Sequence, residues 1–551
     1  MRHLDHFFPA ILREPMSTGV RQLRLSALIA FLCVAVNAPE ASWVNAQEQF
    51  GAVHFPVTCN AGVQTKFDLA LAMLHTFSFP EAAKTFMAVA AEDPDCAMAY
   101  WGVAATAIGS LYGGRPGPMA LQGSAAVDKA KAVGGKTPRE RDYIATIDVF
   151  YRGADTIDYV ARTRAYADAL EQLHRKYPDD REAEIFYAYA LSALGAPTDL
   201  TFAYQLKAAA ILEKLLVELP NHPGVLHYLL HAYDHAVLAA RGLAAARRLA
   251  AVAPSSPHAR QFPAHIYVRL GLWQESIDTN RVGAAVEDRF FKPHAMDFLV
   301  NSYLQIGQDA AAKRVVDEAA TITIVPHILD AYAMAAMPAR YAIERRSWSE
   351  AASLTLPHGD FDWSPFPHAE ATLVFARALG AARSGSIAAA RKDLDRLQEL
   401  RANLIKANRE GTWQDYWVSQ IQIHQQMVEA WIAYTQGRRG EALRMLSAAA
   451  DREDSTETDP VTPGHPISAR ELLGDLLMEM NEPAQALHAF EVSLKREPGR
   501  FWALFGAARA AERAGDSAKA KALYTRLVAQ TANADSERPA LEVAKAFLAK
   551  Q

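Results

Sequence analysis

Hydrophobic and small residues recur along this chain with a spacing close to 34 residues, the length of a common helical repeat. One clear unit runs from residue 67 to residue 94. It places the large Leu69 beside the small Ala70 near its start, followed by Ala82, Phe86 and a closing Pro94. Small residues let two helices pack closely, aromatic rings fill the gap to the next pair, and proline ends the second helix. The pattern predicts stacked pairs of antiparallel helices.

The same frame returns with substitutions along most of the chain. Its best match lies near the far end, in residues 473–498, and further units start at Pro223 and Pro257. This pattern resembles the tetratricopeptide repeat, and about ten or eleven units are counted between Phe67 and roughly residue 530. The resemblance implies an all-α fold, a right-handed α-solenoid of stacked antiparallel helix pairs.

Three stretches interrupt the repeat: residues 111–123, the Pro- and aromatic-rich residues 356–368, and the acidic, Pro-punctuated residues 451–466. Loops of this kind can cover the surface of a helical array, although most are plain connections. The expected organisation is a signal peptide in residues 1–46, a lead-in in 47–62, a main array in 63–450, a linker in 451–466, and a final repeat pair with a capping helix in 467–551.

A wider resemblance is carried by four short stretches. They are F-P-V-T-C-N near residue 55, D-P-D-C-A-M-A-Y-W-G from Asp93, the H-P-G-x-x-H-Y segment, and P-A-H-I-Y from Pro263. These stretches are similar to an uncharacterised group of exported bacterial tetratricopeptide proteins. The resemblance implies fold and export, and it supplies no activity.

The N-terminus has the features of a secretion signal. From Met16, which we expect to be the true start, a basic stretch with Arg21 and Arg24 precedes an apolar core of about twelve residues and a small-residue cleavage pattern ending at Ala46. Twelve apolar residues are too few to span a bilayer, so no membrane anchor is expected after signal removal. We expect a periplasmic or secreted protein.

Composition adds little to this picture. The 551 residues carry a formal charge of −5, and half of them are hydrophobic. A small negative charge gives no reason to expect a nucleic-acid partner. Abundant alanine and helix-forming residues favour helices throughout.

Two cysteines, Cys59 and Cys96, remain after the signal peptide. An exported protein meets an oxidising environment, which favours a disulfide over two buried thiols. Cys59 stands before the first helix of the first repeat and Cys96 after its second helix. Antiparallel helices bring these ends together, so we expect the bond to fasten the first repeat.

Seven histidines fall between His222 and His294. His227, His231 and His235 follow at intervals of four, which places them on one face of a helix. In the proteins that this array resembles, five positions of each first helix line a concave groove. Carried over to this sequence, the groove near residues 222–305 would contain His227, His231, Asp234, His235, His258, Gln261, His265, Arg269, His294, Asp297 and Asn301.

Three interpretations of this groove remain open. In the first, the groove binds a protein or peptide partner, as helical arrays commonly do. In the second, it holds zinc, copper or iron, since neutral imidazoles and a carboxylate suit these metals. In the third, a hydrogen-bonded network only fixes how the units stack. The metal ligands would be His227, His231, His265 and His294, with Asp234 or Asp297 as an additional ligand.

The sequence does not indicate an enzyme. It lacks G-x-S-x-G, G-x-x-x-x-G-K-[ST], G-x-G-x-x-G and C-x-x-C motifs. Any catalysis would have to use the same groove, with a metal-bound water or a His–Asp pair as base. A transition metal is the one cofactor that the residues suggest.

Overall fold

The computed structural model describes residues 49–113, 120–285, 291–407 and 413–550. The predicted signal peptide lies outside these residues. Within them the chain is a succession of helices, without strands, in which neighbouring helices pack pairwise. The predicted all-α solenoid is therefore confirmed. No helix of the described residues has both the length and the apolar character to cross a membrane.

Two 3₁₀ turns, Ala61–Val63 and Leu111–Gly113, accompany the helices of the first half. The α-helices of this half are α1 (Gln64–His75), α2 (Phe79–Glu92), α3 (Ala97–Ile108), α4 (Ala120–Val133), α5 (Pro138–Tyr151), α6 (Tyr159–Lys176), α7 (Arg181–Ser192), α8 (Ala203–Glu218), α9 (Pro223–Tyr233), α10 (Ala239–Val252), α11 (Pro257–Gln261), α12 (Pro263–Leu270) and α13 (Trp273–Ala284).

The remaining α-helices complete the array. They are α14 (Lys292–Gln305), α15 (Asp309–Ala319), α16 (Ile328–Glu344), α17 (Trp348–Ala352), α18 (Pro367–Arg383), α19 (Ile387–Ala407), α20 (Trp413–Thr435), α21 (Arg439–Asp454), α22 (Ala469–Glu479), α23 (Pro483–Arg496), α24 (Phe501–Arg513), α25 (Ser517–Gln530) and α26 (Pro539–Ala549).

The helix starts follow the predicted repeat frame. Pro223 and Pro257 each open a helix, α9 and α11, where a missing N–H is harmless. The side chain of His222 accepts the N–H of Val225 as a cap, and Ser256 caps α11 in the same way.

Two details differ from a regular repeat. Pro263 lacks an N–H, and the helix of its unit is divided there into α11 and α12. In the preceding unit, α9 ends at Tyr233. Asp234 and His235, expected on the same helix face as His227, therefore lie in the turn that follows.

The expected disulfide is present. Cys59 and Cys96 are bonded, with their Cα atoms 4.9 Å apart, and the bond closes the two ends of the α1–α2 pair. This pair is the first helix pair of the described residues, and the cross-link fastens its two ends to each other.

The superhelix closes on itself. The Trp273 side chain at the start of α13 donates a hydrogen bond to the Gly499 carbonyl, at 3.1 Å. Arg538 pairs with Asp309 at the start of α15, and both charges are largely buried. The C-terminal repeats thus contact the middle of the array across the interior.

The predicted linker is not a plain connection. Residues 451–454 belong to α21, and most of residues 456–467 are buried. The fully buried Arg340 of α16 donates to the carbonyl of Gly464, at 2.9 Å, and to Asp297 of α14. The Glu457 N–H donates to the Pro197 carbonyl on the opposite wall, at 2.9 Å. Residues 456–467, which we call the interior segment, therefore fill part of the interior of the array.

Candidate functional site

The histidines singled out by the repeat frame do come together, but they do not line an open groove. His227 is fully buried, and His258, His265 and His294 are each at most 8% exposed. His231 keeps partial exposure. The expectation of an accessible concave face is wrong at these positions, because neighbouring helices and inward-facing loops cover them.

Three imidazoles converge on one point, and we call them the triad: His227, His231 and His258. Nε2 of His227 lies 3.1 Å from Nε2 of His231 and 2.9 Å from Nε2 of His258. One ligating nitrogen from each of the three rings lies within 4.8 Å of the other two. The first pair comes from one face of α9, and the third ring comes from the first turn of α11.

His265 and His294 form a separate pair. Their Nε2 atoms are 3.2 Å apart. The four predicted metal ligands therefore divide between two sites, and His258 completes the first. Phe262 packs on both sites, with its ring centroid 4.0 Å from that of His231 and 4.6 Å from that of His265.

A backbone contact fixes the tautomer of His227. Its Nδ1 lies 2.7 Å from the carbonyl oxygen of His75, which can only accept a hydrogen bond. Nδ1 therefore carries the proton, and Nε2 presents its lone pair to His231 and His258. A carbonyl that orients an imidazole through its second nitrogen is a recurrent feature of metal-binding histidines.

The triad is electrically neutral at physiological pH. Burial lowers the pKa of His227 to about 3, an effect that the bond to the His75 carbonyl only partly opposes. Burial and then the neighbouring imidazoles hold the pKa of His231 and of His258 well below the usual histidine range. Uncharged imidazole is the form that binds metal ions.

Aromatic rings surround these imidazoles. Tyr112 stacks on His231, with ring centroids 4.0 Å apart, and Phe77 packs edge-on against His227 at 4.5 Å. Phe77 adopts a left-handed backbone conformation, with φ of 56°, that residues with side chains rarely take. Its ring position is therefore maintained against a conformational cost.

Asp234 links His265, a member of the His265–His294 pair, to the guanidinium of Arg269. Its carboxylate accepts from Nδ1 of His265, at 2.9 Å, and from Nε of Arg269, at 3.1 Å. Burial alone would raise the pKa of Asp234, but Arg269 and His265 together lower it to about 2. The carboxylate is ionised and fully engaged.

A third cluster lies beside the triad and has a different character. Glu182 is held between His75, at 2.9 Å, and His222, at 2.8 Å. Nδ1 of His222 accepts the Val225 N–H, so its Nε2 carries the proton and donates to Glu182. This cluster is a completed hydrogen-bond network without a free nitrogen lone pair on His222.

Four other predicted groove residues have protein partners. Gln261 donates to Asn280, and Asp297 and Asn301 accept from Arg340. His235 lies 3.6 Å from the Glu457 carboxylate. These residues bind helices and the interior segment to one another.

The repeat frame did not identify several residues that surround or orient the triad. Phe77 and Tyr112 belong to turns, where the repeat frame gives no position, and the His75 carbonyl carries no sequence signal. Gly224 was a usable signal, since a Cβ there would lie 2.6 Å from Nδ1 of His75. That glycine allows α9 to approach α1 closely enough for the His227 contact.

No family profile matches the chain, and no curated protein is similar to it in sequence. Among solved structures, a human IFIT1 dimer with m7Gppp-AAAA is 13% identical, covers 79% of this chain and 90% of its own, and has a TM-score of 0.36. Naa15/Naa10 bound to HypK-THB is 14% identical, covers 88% and 73%, and has a TM-score of 0.25.

The TPR domain of P58(IPK) is 14% identical, covers 89% of this chain and 99% of its own, and has a TM-score of 0.21. Likenesses this weak carry no inference about binding or activity. The structure itself shows stacked helix pairs, as the resemblance of the sequence to tetratricopeptide repeats implies.

Proposed function

We propose that this protein is a helical-repeat scaffold that binds a transition metal ion through the triad His227, His231 and His258. The observation that carries the proposal is the meeting of three Nε2 atoms, one of which has its lone pair directed inward by the His75 carbonyl. Neutral imidazoles are ligands for zinc, copper and iron.

The spacing of the donors supports this proposal. Two ligand nitrogens bound tetrahedrally at about 2.0 Å from a metal lie roughly 3.3 Å from each other. The two separations from His227 Nε2, 3.1 and 2.9 Å, are a few tenths of an ångström shorter. The third separation, between His231 and His258, lies within 4.8 Å, so side-chain rotations could bring the three nitrogens to tetrahedral spacing.

Binding of a protein or peptide partner is less well supported at residues 222–305. Most of the side chains that would contact a partner are buried, His231 and His235 being the partly exposed ones, and residues 456–467 occupy the neighbouring interior. A peptide would have to displace this segment, which Arg340 and other buried groups hold in place.

Export remains part of the proposal. The Cys59–Cys96 disulfide supports it, because such bonds persist in oxidising compartments such as the periplasm or the cell exterior. Labelling of free thiols in protein taken directly from cells, without reductant, tests this: two reactive cysteines per mature chain would contradict an oxidised location.

The proposed site is tested by elemental analysis of protein purified without a histidine tag and incubated with zinc or copper. We expect about one ion per chain in the wild type and a loss of at least about tenfold in affinity for His258→Gln, because losing only an outer-shell partner of a ligand already costs about 10–100-fold. His265→Gln distinguishes the triad from the neighbouring pair and should retain the metal. The exposed His488→Gln is the matched control. Equal metal content in all four proteins would contradict the proposal.

A further inference from the structure

The charge surrounding the triad bears on which ion it takes. Within the described residues, the triad nitrogens have hydrogen-bond partners only in one another and in the His75 carbonyl. The nearby carboxylate of Asp234 is turned to His265 and Arg269. Among the residues that the structure describes, no carboxylate is directed at an ion held by the three imidazoles.

The surroundings of the triad are also apolar. Rings of Phe77 and Phe262 pack against all three imidazoles, and their centroids lie 4.0 to 5.6 Å away. Removing an ion from water into such an environment is expensive, and the Born cost grows with the square of the ionic charge. A divalent ion would therefore lose about four times as much hydration free energy as a monovalent ion of the same size.

The number of ligands points in the same direction. Zinc in proteins is almost always four-coordinate, and with three protein ligands it takes a water or substrate as the fourth. Here aromatic rings pack against the three neutral donors, and Tyr112 stacks directly on His231, the one donor residue that keeps partial exposure. Monovalent copper accepts three ligands and needs no anion or water to complete its shell.

We infer that the triad is a site for monovalent copper, Cu(I). This inference rests on the proposed metal-binding function and specifies the ion. Three neutral nitrogens leave a single positive charge in the apolar enclosure, where Zn²⁺ or Cu²⁺ would leave two.

The inference is tested by anaerobic competition with the Cu(I) chelator bicinchoninate, and by a parallel zinc titration against a chromogenic zinc chelator. We expect the wild-type protein to bind Cu(I) at least 100-fold more tightly than Zn²⁺. His258→Gln should lose this binding, and His488→Gln should keep it. Zinc binding equal to or tighter than Cu(I) binding, lost in His258→Gln, would overturn the inference and leave the proposed metal site standing. No binding of either ion would overturn both.

A second variant tests the role of charge directly. Tyr112→Glu would place a carboxylate beside His231, and Tyr112→Phe is its matched control. We expect the ratio of Cu(I) to Zn²⁺ affinity to fall at least tenfold in the glutamate variant and to stay within twofold in the phenylalanine variant. Circular dichroism establishes that both variants fold. An unchanged ratio in a folded glutamate variant would contradict the argument from charge.

Discussion

Substitution of Arg340 tests whether the interior segment is an integral part of the fold. The guanidinium is fully buried and forms a bidentate pair with Asp297, at 3.1 and 3.3 Å. It also donates to the Gly464 carbonyl and the Thr462 hydroxyl of the interior segment. Arg340→Met keeps most of the volume and removes every one of these bonds.

The expected magnitude follows from the charge that is left behind. Removing one partner of a buried ion pair typically costs about 3–5 kcal/mol, because the other charge remains desolvated. The double variant Arg340→Met/Asp297→Leu leaves no charge and should recover a large part of this loss. Loss of the donors to the segment should also lower the free energy needed to expose it.

Hydrogen exchange of the Thr462 and Gly464 amides is the suitable assay, because long repeat arrays do not unfold in a single step. A loss of about 3 kcal/mol corresponds to roughly 100-fold faster exchange, at 1.4 kcal/mol for each factor of ten. Amides of α1, far from the substitution, serve as the internal control. Unchanged exchange of the segment in Arg340→Met would refute the view that this residue fastens it.

Three further predictions concern other parts of the molecule. Burial raises the pKa of Glu453 to about 8, so the folded state retains a proton that the unfolded chain releases near pH 4.5. Stability should therefore fall as pH rises from about 5 to 8, by up to about 1.4 kcal/mol per pH unit, and Glu453→Gln should flatten this slope in thermal melts. Gly224→Ala should destabilise the fold by about 1–3 kcal/mol and weaken metal binding, because its Cβ would displace His75; a melt and a metal titration of the same sample check both effects. Replacing Cys59 and Cys96 by alanine should lower stability by at most about 3.9 kcal/mol, the chain-entropy value for this loop, and reductant should then leave the melting temperature of the variant unchanged.

The sequence predicts the helical framework well, because repeat spacing is a local and repeated signal. Pro223 and Pro257 mark helix starts that the structure confirms. The cysteine pair follows from the antiparallel arrangement of one helix pair. In both cases the determining contacts lie within one repeat or between adjacent repeats.

The grouping of the histidines could not be predicted from equivalent positions. His231 and His265 occupy the same place in successive units, yet the Nε2 of His231 contacts that of His227 in one site and the Nε2 of His265 contacts that of His294 in the other. The first turn of the following unit meets His227, at the fifth position of its unit, in one site and His265, at the ninth position, in the other, so the offset between units differs. That offset depends on how the array winds, and a repeat pattern does not encode it.

The repeat pattern did not predict the closure of the interior either. Arg340 and the segment it holds are more than 120 residues apart in the chain. Asp309 and Arg538 are separated by 229 residues. These contacts arise because the superhelix winds far enough to meet itself, and they convert an expected open groove into a buried centre.

The most direct test of the metal site is anomalous X-ray scattering from crystals of the protein loaded with one metal ion per chain. The account predicts one dominant peak about 2.0–2.1 Å from the Nε2 atoms of His227, His231 and His258. A dominant peak between His265 and His294, or the absence of any peak near the triad in fully loaded protein, would contradict it.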